Sequence, residues 1–339
     1  MRVMFFRPMM YMGGTEIAIL NLIRVLDKSK FDIYIGYTDN TSNEELLNRM
    51  AKYASIVNIK DEKIEVDVMI NCSPYRSSIT HFNNVNFKKM YLWFHHFGGS
   101  DESIFNDDEY IKSLDKIITV SEATKNIMLK QEYAEKIKGK VDVIYNILDK
   151  TTLLKKSKEE YELQKAKDLN LITISRLSLD KGFQRKVFIV DELIKRNIDF
   201  KWFIVGSSYY KEEEQKIKSM FTKYADKFIF LGMQHNPYKI LKQCDYLVQL
   251  SDEETWGLTI TEAKILDVPC IISDFEVAYE QVEDMENGII LSRKYTDTYK
   301  DRIDDILNNK EKFKENLKDF DYDINKIIKL WEEKLSTID

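Results

Sequence analysis

The sequence of 339 residues contains few cysteines, prolines and glycines: 3, 4 and 11. Cys72, Cys244 and Cys270 lie far apart without a Cys-x-x-Cys spacing, and only four histidines accompany them. This scarcity argues against a disulfide framework and against a structural zinc site. No run approaches the roughly 20 consecutive apolar residues that a transmembrane helix needs, and no secretory signal precedes the first apolar segment. We therefore expect a cytoplasmic chain.

The chain also lacks an excess of positive charge. Its net charge at pH 7 is -6, which argues against nucleic-acid binding and gives no indication of a strong electrostatic membrane anchor. Hydrophobic residues make up 44% of the sequence, enough for a large core and too many for a disordered chain. The length suits two domains of roughly 150 residues each.

Short apolar runs alternate with amphipathic runs along the whole chain, an order that predicts parallel sheets covered by helices on both faces. The predicted strands are 2–6, 32–37, 55–59, 66–71, 89–94, 116–120, 141–145, 170–175, 201–205, 227–231, 245–250, 269–272 and 288–291. We expect two doubly wound α/β domains that face a cleft. Their predicted limits are 1–150 and 169–320. Between them lies a charged linker or solvated helix at 151–168, and a final helical segment follows at 321–339.

The most informative segment follows the predicted strand 245–250. It reads Ser-Asp-Glu-Glu-Thr-Trp-Gly-Leu-Thr-Ile-Thr-Glu-Ala and opens a helix at about Thr259. The free N–H groups and the dipole of a helix start favour an anion. Glu254 before that start and Glu262 inside it are suitable acceptors for sugar and ribose hydroxyls. Taken alone, the two are better interpreted as an ordinary loop residue and an ordinary surface helix residue.

A second segment follows the predicted strand 170–175. Its loop carries Arg176 and Lys181, five residues apart, before a helix that starts near Phe183. A planar guanidinium and a compact ammonium in this position are well suited to bind a diphosphate. Singly, each cation is better explained as an ordinary loop residue.

Together these segments resemble the retaining glycosyltransferases of family 4, which have the two-Rossmann GT-B architecture. Glu254 and Glu262 match the Glu-x7-Glu motif of that family. Arg176 and Lys181 match its phosphate-binding motif, which often reads Gly-Arg-Leu-x-x-x-Lys-Gly. Further matches follow in the expected order at 13–16, 91–95, 118–121, 143–146, 204–206, 230–232 and 280–282. The resemblance therefore covers nearly the whole chain.

The resemblance implies a role for each matched residue. Arg176 and Lys181 would bind the diphosphate of a nucleotide sugar and neutralise the leaving group. Glu262 would bind the ribose hydroxyls, Glu254 the hydroxyls of the donor sugar, and His95 would contact that sugar near its anomeric carbon. The other implied donor-binding residues are Gly13, Gly14, Gly206, Thr255, Trp256, Gly257, Leu258 and Thr259. No metal and no other cofactor is expected, because two cations take the place of Mg²⁺ and no Asp-x-Asp pair stands out near the proposed cleft.

The sequence departs from the family pattern at several positions. Thr255 stands where Gly is common, residues 207–208 are Ser-Ser where Asp-Gly is frequent, and Asp267 replaces a Gly before a proline. His95 is followed by His96. His95 is the better match because it ends the strand in the family's register, and His96 is the alternative.

The resemblance implies retaining transfer of a hexose or N-acetylhexosamine from a nucleotide sugar, expected to be UDP-linked. The acceptor would be a glycan or a lipid-linked molecule, in the synthesis of bacterial surface polysaccharide or glycoconjugates. Peripheral association with the inner face of the membrane stays open. Two alternatives also remain: a non-catalytic glycosyltransferase-like partner subunit, and a nucleotide-sugar epimerase of the same fold.

The C-terminal segment contains one apolar stripe at helical spacing, formed by Ile324, Ile327, Ile328, Trp331 and Leu335. Such a stripe must be buried, and the second sheet already has enough helices for both faces. In the family that this chain resembles, the last helix crosses back to the first domain. We expect the same here, with a cap on the second domain as the alternative.

Overall fold

The structure is a computed structural model that describes residues 1–96, 104–208 and 210–336. It divides into two compact units, of which the first comprises Met1–Leu148 with Asp323–Asp339 and the second comprises Asp149–Tyr322. The last three residues of the predicted segment 321–339 lie outside the described part.

The described part of the first unit contains a seven-stranded parallel sheet in the order β3-β2-β1-β4-β5-β6-β7. Its strands are β1 (Arg2–Phe6), β2 (Asp32–Tyr37), β3 (Ser55–Asn58), β4 (Ile64–Asn71), β5 (Val85–Phe94), β6 (Lys116–Thr119) and β7 (Val141–Val143). The helices between them are α1 (Gly14–Val25), α2 (Glu44–Met50), α3 (Asp108–Ser113), α4 (Glu122–Met128) and α5 (Ala134–Ile137). The strand order reverses between β1 and β4, where doubly wound sheets bind ligands.

The described part of the second unit contains a six-stranded parallel sheet in the order β10-β9-β8-β11-β12-β13. Its strands are β8 (Leu169–Ile174), β9 (Phe200–Val205), β10 (Phe228–Gly232), β11 (Tyr246–Gln249), β12 (Cys270–Ser273) and β13 (Gly288–Leu291). Its helices are α6 (Lys150–Ser157), α7 (Phe183–Lys195), α8 (Lys211–Met220), α9 (Tyr238–Leu241), α10 (Leu258–Ile265), α11 (Ala278–Gln281), α12 (Ile303–Asn308) and α13 (Lys310–Leu317). Here the order reverses between β8 and β11, and this reversal positions the candidate site.

The predicted linker 151–168 is partly helical. Helix α6 contacts α9 and α10 and buries Leu153. Asn236 donates a hydrogen bond of 2.9 Å to the carbonyl oxygen of Lys156. Its charge and its lack of a sustained apolar stripe predicted a linker or a solvated helix. The structure shows a helix in the first half, which one leucine and this polar contact attach to the second unit.

The last helix, α14 (Ile324–Ser336), packs on the first unit, as expected from its apolar stripe. The ring of Trp331 lies 4.7 Å from that of Trp93 on β5 and 6.5 Å from that of Phe5 on β1, centroid to centroid, both edge-to-face. Lys334 forms an ion pair of 2.7 Å with Asp142. The expected crossing back to the first domain is confirmed. Among the helices described, none has the length and apolar character required to cross a membrane.

We expect Trp331→Ala to lower the free energy of unfolding of the first unit by about 3–5 kcal/mol, since it removes a fully buried indole. Hydrogen exchange of β1 and β5 measures this loss. Leu330→Ala on the same helix is the control, because Leu330 is 39% exposed and should change stability by less than about 0.5 kcal/mol. Equal effects of the two variants, or faster exchange confined to the second unit, would contradict the assignment of α14.

Candidate functional site

The loops that follow β8 and β11 meet where the strand order of the second sheet reverses. Lys181 belongs to the first loop and Glu254 to the second. Lys181 Nζ donates to Glu254 Oε1 over 2.9 Å, and both side chains are largely shielded from solvent. The structure therefore brings together two residues that lie 73 positions apart in the sequence.

Two glycines allow the backbones at this edge to come into contact. Gly182 has φ +63°, and a Cβ there would lie 1.7 Å from the carbonyl oxygen of Leu250 at the end of β11. Gly206, after β9, has φ +135°, and its Cβ would lie 1.9 Å from the carbonyl oxygen of Ser175. Any side chain at either position would push the loops apart, so these glycines determine how closely the predicted site residues approach each other.

Glu254 is held through one of its two carboxylate oxygens. Oε1 accepts hydrogen bonds from Lys181 Nζ at 2.9 Å, Gln249 Nε2 at 2.5 Å and Ser251 Oγ at 2.9 Å. Gln249 Oε1 in turn accepts from Thr259 Oγ1 at 2.5 Å. Gln249 and Ser251 were not predicted as site residues. The sequence did offer one indication of Gln249, because it is a polar residue within a predicted buried strand.

Asp180 lies between the two predicted diphosphate cations. Its Oδ2 is 3.4 Å from Lys181 Nζ and 3.8 Å from an Arg176 guanidinium nitrogen. Partial burial acts to raise the pKa of Asp180, but the hydrogen bond from Ser178 and the two cations lower it overall. The carboxylate of Asp180 thus lies where the sequence predicts that the diphosphate of a ligand binds.

Lys181 is itself kept charged. Burial acts to lower the pKa of Lys181, yet the negative charges of Glu254 and Asp180 raise it above the usual value for lysine. Arg176 is half exposed, with its guanidinium 3.8 Å from Asp180. Both predicted cations therefore have carboxylate neighbours, but Lys181 is largely shielded from solvent and Arg176 is half exposed.

Helix α7 supports the turn that carries Lys181, through residues that the sequence analysis missed. Lys186 is fully buried and its Nζ donates to the carbonyl oxygen of Lys181 at 2.9 Å. Burial, with the charges of Arg185 and Lys181, holds the pKa of Lys186 well below its usual range. Arg185 donates to the carbonyl oxygen of Leu250 at 2.6 Å and so ties α7 to the end of β11. Both are among the buried residues of α7.

Glu262 lies inside α10 and is 6% exposed. Tyr238 donates its hydroxyl to Glu262 Oε1 at 2.8 Å. Burial raises the pKa of Glu262 to about 7, although the hydrogen bond from Tyr238 and the charge of Lys156 act to lower it. A surface helix residue would have none of these properties, so the structure removes the ordinary interpretation of Glu262. Tyr238 was not foreseen.

The other predicted donor-binding residues of this unit surround the start of α10. Trp256 is 8% exposed, and its carbonyl oxygen accepts a hydrogen bond of 2.8 Å from Gln281. Gly257 precedes the helix, while Leu258 and Thr259 form its first turn. Thr255, which stands where glycine is common in the resembling family, is partly buried beside them.

In the first unit, the predicted residues follow β1 and β5. Gly13 and Gly14 lead into α1, and Glu16 in its first turn forms an ion pair of 2.9 Å with Arg7. His95 follows β5 and is partly buried, with its ring 4.6 Å from that of Trp93.

The two adjacent histidines differ in environment. Burial, reinforced by the charge of Arg7, lowers the pKa of His95 to about 3, so its imidazole is neutral at physiological pH. His96 is exposed. In the described part of the chain, no group of three or more His, Cys, Asp or Glu residues is arranged to hold a metal ion.

We expect Glu262→Gln to stabilise the second unit, and to do so only at neutral and higher pH. The folded pKa of about 7 lies above the usual 4.5, so the folded state binds more protons than the unfolded state between these values. Stability then falls as pH rises through that window. The variant should gain up to about 3 kcal/mol at pH 8, from roughly 1.4 kcal/mol per pKa unit, and little at pH 5.

Urea unfolding at both pH values measures this difference. Glu253→Gln is the control, because Glu253 is exposed. A gain for Glu262→Gln that is equal at pH 5 and pH 8 would show that the carboxylate is not buried as described.

Residues 155–322 match the family model described as Glycosyl transferases group 1. Among curated proteins, the chain is 29% identical over 181 residues to N-acetyl-alpha-D-glucosaminyl L-malate synthase of Bacillus anthracis, over 51% of this chain and 45% of that protein. It is 25% identical over 154 residues to N-acetylgalactosamine-N,N'-diacetylbacillosaminyl-diphospho-undecaprenol 4-alpha-N-acetylgalactosaminyltransferase of Campylobacter jejuni, over 45% of this chain and 40% of that protein. The chain thus matches less than half the length of these relatives.

Among solved structures, the chain resembles Anabaena HepE in complex with UDP and glucose, with a TM-score of 0.76, 15% identity and 100% coverage of both chains. It also resembles the apo form of the lipopolysaccharide outer core galactosyltransferase WaaB, with a TM-score of 0.68 and 16% identity over 99% of both chains. Likeness at this identity shows the fold, which is GT-B. The matched segment 155–322 contains the whole cluster at β8 and β11, so this part of the chain is similar to the group 1 glycosyl transferases.

Proposed function

We propose that this chain is a retaining glycosyltransferase that moves a hexose or N-acetylhexosamine from a UDP-sugar to a glycan or lipid-linked acceptor. The observation that carries the proposal is the convergence of the Arg176–Lys181 loop and Glu254 at the strand reversal of the second sheet, with Lys181 in contact with Glu254. Glu262, buried on the adjoining helix, adds a second carboxylate. Two cations suit the diphosphate of a nucleotide sugar, and two carboxylates suit its hydroxyls.

The charges of the site suit the parts of such a donor. Lys181 stays cationic, and Arg176 is exposed enough to reach a ligand, so both suit a diphosphate. Glu262 suits the vicinal hydroxyls of ribose, because a carboxylate offers two acceptor oxygens. Glu254 suits hydroxyls of the sugar. His95 remains proposed as a sugar contact, with a neutral imidazole that donates or accepts one hydrogen bond.

In the proposed reaction, the bond between the anomeric carbon and the β-phosphate oxygen breaks, and a bond to the acceptor oxygen forms on the same face of the sugar. The proton of the acceptor hydroxyl passes to the leaving phosphate oxygen. Arg176 and Lys181 stabilise the negative charge that develops on that diphosphate, which is the electrostatic contribution that Mg²⁺ makes in metal-dependent transferases.

The similar proteins support this substrate class. One solved structure with the same fold is a complex with UDP-glucose, and another, a pneumococcal O-GlcNAc transferase, is a complex with UDP and GlcNAc. The acceptor in the name of the Campylobacter jejuni relative is a sugar linked to diphospho-undecaprenol. A lipid-linked acceptor would bring the chain to the inner face of the bacterial membrane, in the synthesis of surface polysaccharide or glycoconjugates.

The test of the function is UDP release from a panel of UDP-sugars, with and without acceptor. Transfer requires release that depends on the acceptor and a glycosylated product. An epimerase would change the sugar without that product, and a non-catalytic partner subunit would release no UDP under either condition.

We expect Arg176→Ala and Lys181→Ala each to lower kcat/KM by roughly 10- to 100-fold, because each removes hydrogen bonds from a charged group to the diphosphate. Arg196→Ala and Lys227→Ala are matched controls, since these residues pair with Asp304 and Asp199 away from the site. Near-normal kcat/KM in both site variants would show that this loop does not hold the diphosphate.

We also expect transfer to survive EDTA, because Arg176 and Lys181 supply the positive charge at the leaving group. Steady-state rates before and after chelation measure this. Complete loss of activity that Mg²⁺ or Mn²⁺ restores would overturn metal independence while leaving the transferase activity in place.

A further inference from the structure

We infer that Gln249 is a positioning residue that presents a single oxygen of Glu254, Oε2, to the donor sugar. This inference rests on the proposed function and deepens it, because it concerns how the carboxylate that binds the donor sugar is held. Gln249 is the last residue of β11 and is 6% exposed.

The hydrogen bonds to Glu254 are unevenly distributed between its two oxygens. Oε1 accepts from Lys181, Gln249 and Ser251, at 2.9, 2.5 and 2.9 Å. Within the described residues, Oε2 accepts none. A carboxylate oxygen with three donors has no lone pair left for another. A sugar hydroxyl that donates to Glu254 must therefore do so at Oε2.

The orientation of the Gln249 amide follows from its two neighbours. A carboxylate only accepts hydrogen bonds, so the NH₂ group of Gln249 must face Glu254. Its Oε1 then faces Thr259, whose hydroxyl donates to it at 2.5 Å. The amide thereby joins the end of β11, the loop that carries Glu254 and the first turn of α10.

This bridge, formed by the Gln249 amide between Glu254 and Thr259, matters most when a nucleotide sugar is bound. Lys181 is shared between Glu254 and Asp180, and a diphosphate would draw its ammonium away from the carboxylates. Gln249 and Ser251 carry no charge and gain nothing from the diphosphate, so they keep Glu254 in place while Lys181 turns. Because the hydrogen-bond donor Gln249 is uncharged, the position of Glu254 does not depend on whether phosphate is bound.

The test compares UDP with one UDP-sugar. That sugar nucleotide is whichever binds the wild-type chain most tightly among UDP-glucose, UDP-galactose, UDP-N-acetylglucosamine and UDP-N-acetylgalactosamine. Gln249→Met removes both hydrogen bonds and keeps the length of the side chain. We expect its Kd for UDP to stay within about twofold, and its kcat/KM for the UDP-sugar to fall by about 10-fold, as for one lost hydrogen bond to a charged group. A general disturbance of the loop would weaken UDP as well.

A double-mutant cycle with Glu254→Gln separates positioning from packing. If Gln249 acts through Glu254, the double variant should be no worse than Glu254→Gln alone. Losses that multiply instead would overturn the inference, and so would a normal kcat/KM in Gln249→Met. Gln243→Met is the matched control, because Gln243 hydrogen-bonds backbone carbonyls away from the site.

Thr259→Val provides a second variant if Gln249→Met does not fold. It removes only the hydroxyl that orients the amide. We expect it to lower kcat/KM for the UDP-sugar by less than Gln249→Met does and to leave the Kd for UDP unchanged. An unchanged kcat/KM in this variant would contradict the bridge. A wild-type chain that binds UDP but transfers no sugar would overturn the proposed function, and the role of Gln249 with it.

Discussion

The contact of Gly182 with the carbonyl oxygen of Leu250 is the constraint on which the second unit's site depends. Gly182 starts the helix after β8 and Leu250 follows β11, and no Cβ fits between them. Because parallel strands end at the same edge of a sheet, this contact places the two loops side by side. The ion pair of Lys181 with Glu254 and the Gln249 bridge both follow from that closeness. Arg185 reinforces it by donating two hydrogen bonds to the same Leu250 oxygen.

The site is assembled from groups that oppose folding. Lys186 is fully buried with a strongly lowered pKa, and Glu262 is buried with a raised one. Each would be more stable in water in its charged form, so a chain selected for stability alone would carry apolar residues there. Perturbed groups of this kind cluster at functional sites. Both lie on the helices that begin beside the strand reversal, α7 and α10. These two unfavourable contributions to folding stability are therefore located at the site.

The sequence predicted the parts of this chain that depend on local pattern. The strands of both sheets were predicted because buried parallel strands are short apolar runs. The four motif residues were predicted because family motifs have fixed spacing; they are Arg176, Lys181, Glu254 and Glu262. Contacts between distant segments leave no such spacing. Tyr238 meets Glu262 from another helix, 24 positions away, and Asp180 is an ordinary loop acid until its two cations are seen around it. The first half of the predicted linker became a helix of the second unit through contacts that its charged composition did not reveal.

The position of α14 bears on the order in which the chain folds during synthesis. The second unit, Asp149–Tyr322, is inserted between two parts of the first. Trp93 and Phe5 leave the ribosome early, but the indole of Trp331 that covers them is made only after the whole second sheet. An apolar face on β1 and β5 therefore stays uncovered while 174 residues of the second unit are translated. During that interval the growing chain exposes aromatic surface of the kind that chaperones bind and that promotes aggregation.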